Sequence, residues 1–134
     1  MRILSLLALL IIGGALGAVE LEVSKEYRVL SMNGQPLERI EGLAAPTLFL
    51  DAKESRAYGT SGINRYGGGY VMAEGVLTIR QPFSTMMAGS EAAMKVEQDF
   101  LAIITGPMSI SADPQGLLLT SAKGSVLIAK TTEK

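Results

Sequence analysis

Two adjacent methionines, Met86 and Met87, have side chains that can bind a soft metal ion. Thioether sulfur is a ligand for Cu(I), and Met72 or Met94 would be able to complete such a set. Methionine more often fills irregular gaps in a hydrophobic core. The sequence favours that core role, and we therefore expect no metal site and no cofactor.

Catalysis that depends on histidine or cysteine is excluded, because the 134-residue chain contains neither. Ser-His and Cys-His pairs are therefore impossible, and no disulfide stabilises the fold. No serine begins a Ser-x-x-Lys motif. Carboxylates are abundant, but the sequence places no two of them in a context that indicates burial or a shifted pKa. The sequence predicts a protein that is not an enzyme.

A glycine-rich stretch from Arg56 to Tyr70 organises the rest of the chain, with five of the 15 glycines between Gly59 and Gly69. A phosphate-binding Walker loop would end in Gly-Lys-Ser or Gly-Lys-Thr, which does not occur. A dinucleotide-binding motif would open a helix, whereas a strand is predicted to follow. We interpret the stretch as a structural loop with bulges, joining strands that end near Tyr58 and begin near Tyr70. A ligand-binding loop is the alternative.

Strands are predicted on both sides of this stretch, because short runs alternate apolar and polar residues between turn signals such as Asn33-Gly34 and Glu74-Gly75. The predicted strands are residues 27–32, 47–51, 56–58, 70–73, 76–80, 108–112, 117–120 and 125–130. Residues 35–45 and 81–89 are predicted to be loops, since Pro36 and Pro82 lie within them and Pro46 directly follows the first.

One helix is predicted over residues 90–105. Ser90 is a suitable N-cap, Glu91 lies favourably in the first turn, and Gly106-Pro107 is a stop signal. Apolar residues recur at steps of three and four, while residues 95 and 97–99 are assigned to the solvent side. Strands, then one helix, then strands predict a single α+β domain whose antiparallel sheet curls toward a partial barrel.

The first 18 residues resemble a secretion signal, with Arg2 before an apolar run from Ile3 to Ile12 and small residues up to Ala18. Cleavage is expected after Gly17 or Ala18, and an uncleaved anchor is the alternative. Membrane contact is expected only through this segment before cleavage. Cleavage removes one basic residue, leaving 11 basic and 13 acidic residues and a net charge of −2. That balance does not suit nucleic-acid binding.

The chain resembles the META/HslJ-like domain family through two motifs. The family shows Gly-x-x-Gly-Cys-Asn followed by a glycine and an aromatic residue, and Thr-x-Met-Ala-Cys just before its helix. The first motif corresponds here to Gly59, Gly62, Ile63, Asn64, Tyr66, Gly68 and Tyr70. The second corresponds to Thr85, Met87, Ala88 and Gly89. The resemblance extends from about Tyr27 to Lys130 and implies a structural or binding-loop role for these residues.

The chain departs from this pattern at both family cysteines, where it has Ile63 and Gly89, and Tyr27 replaces a family tryptophan. If the two family cysteines are paired in space, both would be expected to be lost together, as they are here. Independent loss of each cysteine is the alternative. If the positions are paired, we expect the Ile63 side chain to project over Gly89 and fill the space of two sulfurs.

The resemblance implies a stress-associated envelope protein in residues 19–134, exported to the periplasm or secreted. We expect it to bind an unidentified protein of the cell envelope, without nucleic acid. The alternative is a carrier that holds a lipid or small apolar ligand in a half-open barrel. An aromatic content of 5% argues mildly against a large ligand cavity.

Overall fold

The computed structural model describes residues 21–131, which form nine strands and one helix. The predicted signal segment, residues 1–18, lies outside this range. The strands are β1 (Glu26–Met32), β2 (Gln35–Pro36), β3 (Thr47–Asp51), β4 (Arg56–Thr60), β5 (Arg65–Ala73), β6 (Val76–Ser84), β7 (Gly106–Asp113), β8 (Gly116–Ser121) and β9 (Gly124–Lys130). The helix, α1, is Glu91–Ile104, between β6 and β7.

The strands form one antiparallel sheet in the order β2-β1-β3-β4-β5-β6-β7-β8-β9. An additional antiparallel pairing of β1 with β9 closes the sheet into a barrel of eight strands, and the short β2 extends only the end of β1. The predicted α+β class, with an antiparallel curled sheet and one helix, is confirmed. Closure is complete rather than partial, which removes the exposed edges that an open sheet would leave.

Helix α1 begins and ends close to the predicted residues. The Ser90 hydroxyl accepts a hydrogen bond from the Ala93 backbone N–H at 3.1 Å, and Gly106 follows the helix with a φ of 96°. The helix lies at the end of the barrel that carries the β4–β5 loop and the β8–β9 turn, since Glu97 binds Asn64 and Ile103 lies against Gly124. Residues 21–131 contain no helix with the length and apolarity that crossing a membrane requires.

One hydrophobic core fills the barrel, and α1 contributes to it. Its members are inward-facing strand residues and the buried side of the helix. They include Tyr27, Val29, Leu48, Leu50, Ala57, Tyr66, Leu77, Ile79, Phe100, Ile103, Ile104, Met108, Leu119, Val126 and Ile128. Because these side chains share one core, truncating a helical member such as Phe100 would also loosen the strands beneath it.

The glycine-rich stretch is mostly strand, so its interpretation as one long connection is wrong. Strand β4 continues to Thr60 and β5 already begins at Arg65, leaving only residues 61–64 as a loop. Glycine is needed at Gly59 because an added Cβ would overlap the carbonyl group of Thr47 on neighbouring β3. The glycines allow close packing between strands here rather than making a flexible loop.

The predicted loops 81–89 and 35–45 are also partly strand. Strand β6 continues to Ser84, and β2 occupies Gln35–Pro36. The pairing of β5 with β6 shifts register at Gly68. There two β6 residues, Gln81 and Pro82, lie opposite the single β5 residue Gly68. Proline is tolerated in a strand at such a bulge because no ladder hydrogen bond is required there. The same bulge explains the positive φ of 46° at Gln81.

Candidate functional site

A buried carboxylate, Glu97, joins the helix to the β4–β5 loop, and only 5% of its surface is exposed. Its Oε2 accepts hydrogen bonds from the Ser61 hydroxyl and the Asn64 backbone N–H, both at 2.6 Å. Its Oε1 accepts a hydrogen bond from the Asn64 side-chain amide at 2.8 Å. Assigning Glu97 to the solvent side of the helix was therefore wrong. The middle of α1 is fixed to the first motif through this one side chain.

The side chain of Asn64 extends the same network to the second motif. Its Oδ1 accepts hydrogen bonds from the Thr85 hydroxyl at 2.8 Å and from the Met87 backbone N–H at 2.6 Å. Its Nδ2 donates to the Met87 carbonyl at 3.0 Å in addition to Glu97. Both donor protons and the acceptor oxygen of Asn64 are thus used. We call Ser61, Asn64, Thr85, Met87 and Glu97 the Asn64–Glu97 network.

The β4–β5 loop is shaped to present these donors. The Ser61 backbone N–H donates to the Asn64 carbonyl at 2.8 Å, which closes a tight turn. Within this turn Gly62 has a φ of 127°, a conformation that other residues rarely adopt. The turn directs the backbone N–H of Asn64 toward Glu97. Gly62 therefore contributes to the network through the backbone conformation that it allows.

The pKa of Glu97 reflects two opposing influences. Burial is the larger single influence and raises the pKa, because it disfavours the charged form. Hydrogen bonds from Ser61, from the side chain and backbone of Asn64, and from the backbone of Ile63 favour the charged form and together outweigh it. The net result is a pKa below the ordinary glutamate value, so Glu97 is an anion at neutral pH.

Ile63 and Gly89, the residues at the two family cysteine positions, are in contact. A Cβ added to Gly89 would lie 2.5 Å from Cδ1 and 3.1 Å from Cγ1 of Ile63. The Ile63 side chain therefore occupies the space in front of Gly89, as expected if the two positions form a pair. Apolar contact takes the place that a covalent link between these segments would have.

The other predicted motif residues lie apart from the network. Tyr66 is buried, and its hydroxyl donates to the Thr47 carbonyl at 2.7 Å while its ring packs edge-on against Phe100 at 5.6 Å. Gly59 and Gly68 allow close strand contacts, and Tyr70 packs partly buried against the core. Ala88, within the second motif, is exposed. The motifs thus divide between a polar network and barrel packing.

The Asn64–Glu97 network is suited to a structural role. The Ser61 hydroxyl donates a hydrogen bond of 2.6 Å to the Glu97 carboxylate, but Ser61 has no exposed surface and a substrate has no access to it. In residues 21–131 no group of three His, Cys, Asp or Glu side chains is arranged to hold a metal ion. The arrangement can stabilise a charge and hold three segments together.

The core role predicted for the adjacent methionines is wrong. Met86 is 90% exposed and Met87 is 59% exposed, on the connection between β6 and α1. Together with Met94 they line a pocket of about 230 Å³, whose wall also includes Glu97 and Leu101. Met72, in contrast, packs partly buried against the core on β5.

Sequence reasoning missed Glu97, although a signal was present. Ala93 and Phe100 are buried, and Glu97 lies four residues after the first and three before the second. Those steps place all three residues on one face of a helix. An acidic residue inside an apolar helical stripe indicates a buried charge that requires donors from another segment.

A family model described as META domain matches residues 19–134. A solution NMR structure of a protein from Burkholderia xenovorans is 25% identical, with a TM-score of 0.62, over 83% of this chain and 84% of that one. A second NMR structure is 19% identical, with a TM-score of 0.62, over 78% of this chain and 87% of that one. Comparison with curated proteins returns no match.

Proposed function

Because the chain belongs to the META domain family, we propose that it is a non-catalytic exported module that binds another protein of the cell envelope. The META domain is a stress-associated envelope module, and the family is not known as enzymatic. The observation that carries the proposal is a row of aromatic side chains on the outer face of the barrel.

This aromatic row crosses four neighbouring strands. Phe49 on β3 pairs with Tyr58 on β4, Tyr58 pairs with Gly67 on β5, and Gly67 pairs with Phe83 on β6. The rings of Phe49 and Tyr58 stack with centroids 5.2 Å apart. Tyr58 is 41% exposed and Phe83 is 59% exposed, so the row presents two large rings to the surroundings.

Between the two exposed rings, the side chains of Phe83 and Arg56 cover β5 at Gly67. A Cβ on Gly67 would lie 3.3 Å from the tip of the Phe83 ring and 3.4 Å from the Arg56 guanidinium. The guanidinium carbon of Arg56 lies 5.8 Å from the Phe83 ring centroid, a cation–π arrangement. Gly67 therefore allows Phe83 and Arg56 to lie flat along the barrel wall. We call Phe49, Arg56, Tyr58 and Phe83 the aromatic band.

The composition of the aromatic band suits protein binding. Tyrosine and arginine are enriched among the residues that supply most of the binding energy of protein interfaces, and phenylalanine is enriched in interfaces generally. Rings that are already stacked lose little conformational freedom when a partner covers them. A pocket of about 220 Å³ is lined by Phe49 and Tyr58 of the band together with Glu26 and Arg65, which supply charges of both signs. These charges favour a partner surface whose charges are complementary to them.

The interior of the barrel favours this function over ligand transport. Inward-facing residues from the strands and the helix fill it as one core, with Leu50, Leu77 and Phe100 each about 1% exposed or less. A carrier needs an apolar cavity that encloses its ligand. We therefore rank the lipid-carrier alternative below protein binding.

The test is retention of a partner by the purified mature chain, residues 19–134, from an envelope extract of the producing organism. We expect the wild type to retain a discrete protein saturably. The double variant Tyr58→Ser with Phe83→Ser should bind that purified partner about tenfold more weakly or worse, since it removes two candidate hot-spot rings.

The matched control is Val23→Ala with Val71→Ala, which shortens two exposed apolar side chains outside the aromatic band. It should bind like the wild type, and all variants should have wild-type circular dichroism spectra. Equal binding by the Tyr58→Ser, Phe83→Ser variant, or no saturable retention by the wild type, would refute the proposal. Acyl material detected in native mass spectra of the wild type would favour the carrier instead.

A further inference from the structure

The pocket between the β6–α1 connection and the helix has an unusual wall. Three of its lining residues are Met86, Met87 and Met94, and the first two are mostly exposed. Methionine side chains that pack a core are buried, so these two have no packing role that explains them. Three residues whose side chains end in soft thioether groups therefore line one pocket, and they lie within nine consecutive positions of the sequence.

The backbone that carries these sulfurs is held firmly in place. The Met87 N–H donates to Asn64 Oδ1 at 2.6 Å, and the Met87 carbonyl accepts from Asn64 Nδ2 at 3.0 Å. The Ser90 carbonyl accepts a hydrogen bond from the Met94 N–H at 2.9 Å in the first turn of α1. Because the backbone is fixed at Met87 and at Met94, less conformational entropy is lost when these flexible methionine side chains bind one ion.

The charge beneath the pocket favours a cation. Glu97 forms part of its wall and is ionised at neutral pH because its hydrogen bonds lower its pKa. Among the described residues its hydrogen-bond donors are neutral, and the two ion pairs there, Lys95–Asp99 and Lys130–Glu22, do not involve it. A buried anion without a positive partner is stabilised by a cation bound nearby.

The donor atoms select the kind of cation. Thioether sulfur is a soft ligand that prefers Cu(I), whereas Mg²⁺ and Ca²⁺ require oxygen ligands. Both oxygens of Glu97 already accept hydrogen bonds, which makes the carboxylate a poor direct ligand for a hard ion. We propose that the thioether groups of Met86, Met87 and Met94 bind a soft monovalent cation, Cu(I), in the pocket whose wall includes Glu97. This site is separate from the aromatic band, so the two proposals can fail independently.

The test is anaerobic competition for Cu(I) against a coloured Cu(I) chelator, with the mature chain and excess ascorbate. The wild type should remove Cu(I) from the chelator with a stoichiometry of a single ion per chain. The variant Met86→Leu, Met87→Leu, Met94→Leu should lose this competition. The matched control Met32→Leu with Met72→Leu replaces two methionines packed against the core and should compete like the wild type.

A second measurement identifies the ligands. In spectra of methyl-labelled methionines, Ag(I), a diamagnetic soft ion, should shift the signals of Met86, Met87 and Met94 together and leave that of buried Met108 in place. Zn²⁺ should shift none of them. A wild-type chain that does not compete for Cu(I), or a triple leucine variant that competes equally well, would overturn the proposal.

Discussion

Replacing Glu97 with alanine is expected to lower the free energy of unfolding by about 3–5 kcal/mol, because three buried donors would lose their acceptor. These donors are the Ser61 hydroxyl and both the backbone and side-chain N–H groups of Asn64. Their loss would also release the β4–β5 loop from α1, so the cost exceeds that of deleting methylene groups alone. Urea unfolding measured at neutral pH gives the value.

The isosteric variant Glu97→Gln separates charge from shape. Glutamine keeps one acceptor oxygen but turns an NH₂ group toward donors that now face Glu97, either those at Oε2 or the one at Oε1. We expect a loss of about 2 kcal/mol, since at least one donor must stay unsatisfied. The matched control Glu54→Gln, at an exposed turn, should stay within about 0.5 kcal/mol of the wild type. A Glu97→Ala variant as stable as that control would contradict the network.

The second large effect is expected from Ile63→Cys combined with Gly89→Cys. Shortening Ile63 removes the atoms that an added Cβ at position 89 would overlap, which leaves room for two sulfurs. We expect the thiols to oxidise spontaneously and the disulfide to stabilise the chain by about 3 kcal/mol, since it closes a loop in the unfolded state. That corresponds to a rise in melting temperature of roughly 10 °C.

The control for this prediction is the same double variant kept reduced, together with the single variant Ile63→Cys. Both lack the link, so both should melt below the oxidised double variant. Thiol titration and mass spectrometry under non-reducing conditions report the bond. Persistence of two free thiols, or formation of disulfide-linked dimers only, would show that residues 63 and 89 are not placed for pairing.

The sequence predicts elements well where local rules decide them. Ser90 and Gly106-Pro107 mark the helix because capping depends on neighbouring backbone groups. Prediction from the sequence fails where contacts with residues distant in the sequence determine the structure. The β4–β5 glycines indicate a loop by propensity, yet Gly59 and Gly67 lie in strands because the Thr47 carbonyl and the Phe83 ring approach them closely.

The candidate site shows the same limit more strongly. Asn64 belongs to a recognisable motif, but nothing in that motif identifies its partner on the helix. Because Glu97 is polar, the sequence predicts a solvent-facing position, and only the fold brings Ser61 and Asn64 to it. Composition likewise does not predict that Met86 is exposed beside a backbone segment bound by Asn64.

The pKa of Glu97 links structure to function. A general acid or base near neutral pH requires a carboxyl group whose pKa is raised toward the working pH. A carboxylate with a structural role requires the reverse, a pKa lowered by hydrogen-bond donors that are already in place, as at Glu97. With the folded-state pKa below the unfolded value, ionised Glu97 contributes stability above the unfolded pKa, and this contribution is lost as the pH falls through the folded-state value.

The most direct test of the non-catalytic account is a titration of the Glu97 side-chain carboxyl carbon by ¹³C NMR in the folded mature chain. The account predicts a midpoint below the ordinary value of 4.5, together with a Glu97→Gln stability deficit that shrinks as the solution is acidified through that midpoint. A midpoint above 4.5, displaced toward neutrality, would contradict it, because Glu97 would then be poised to exchange protons rather than to hold the two motifs to the helix.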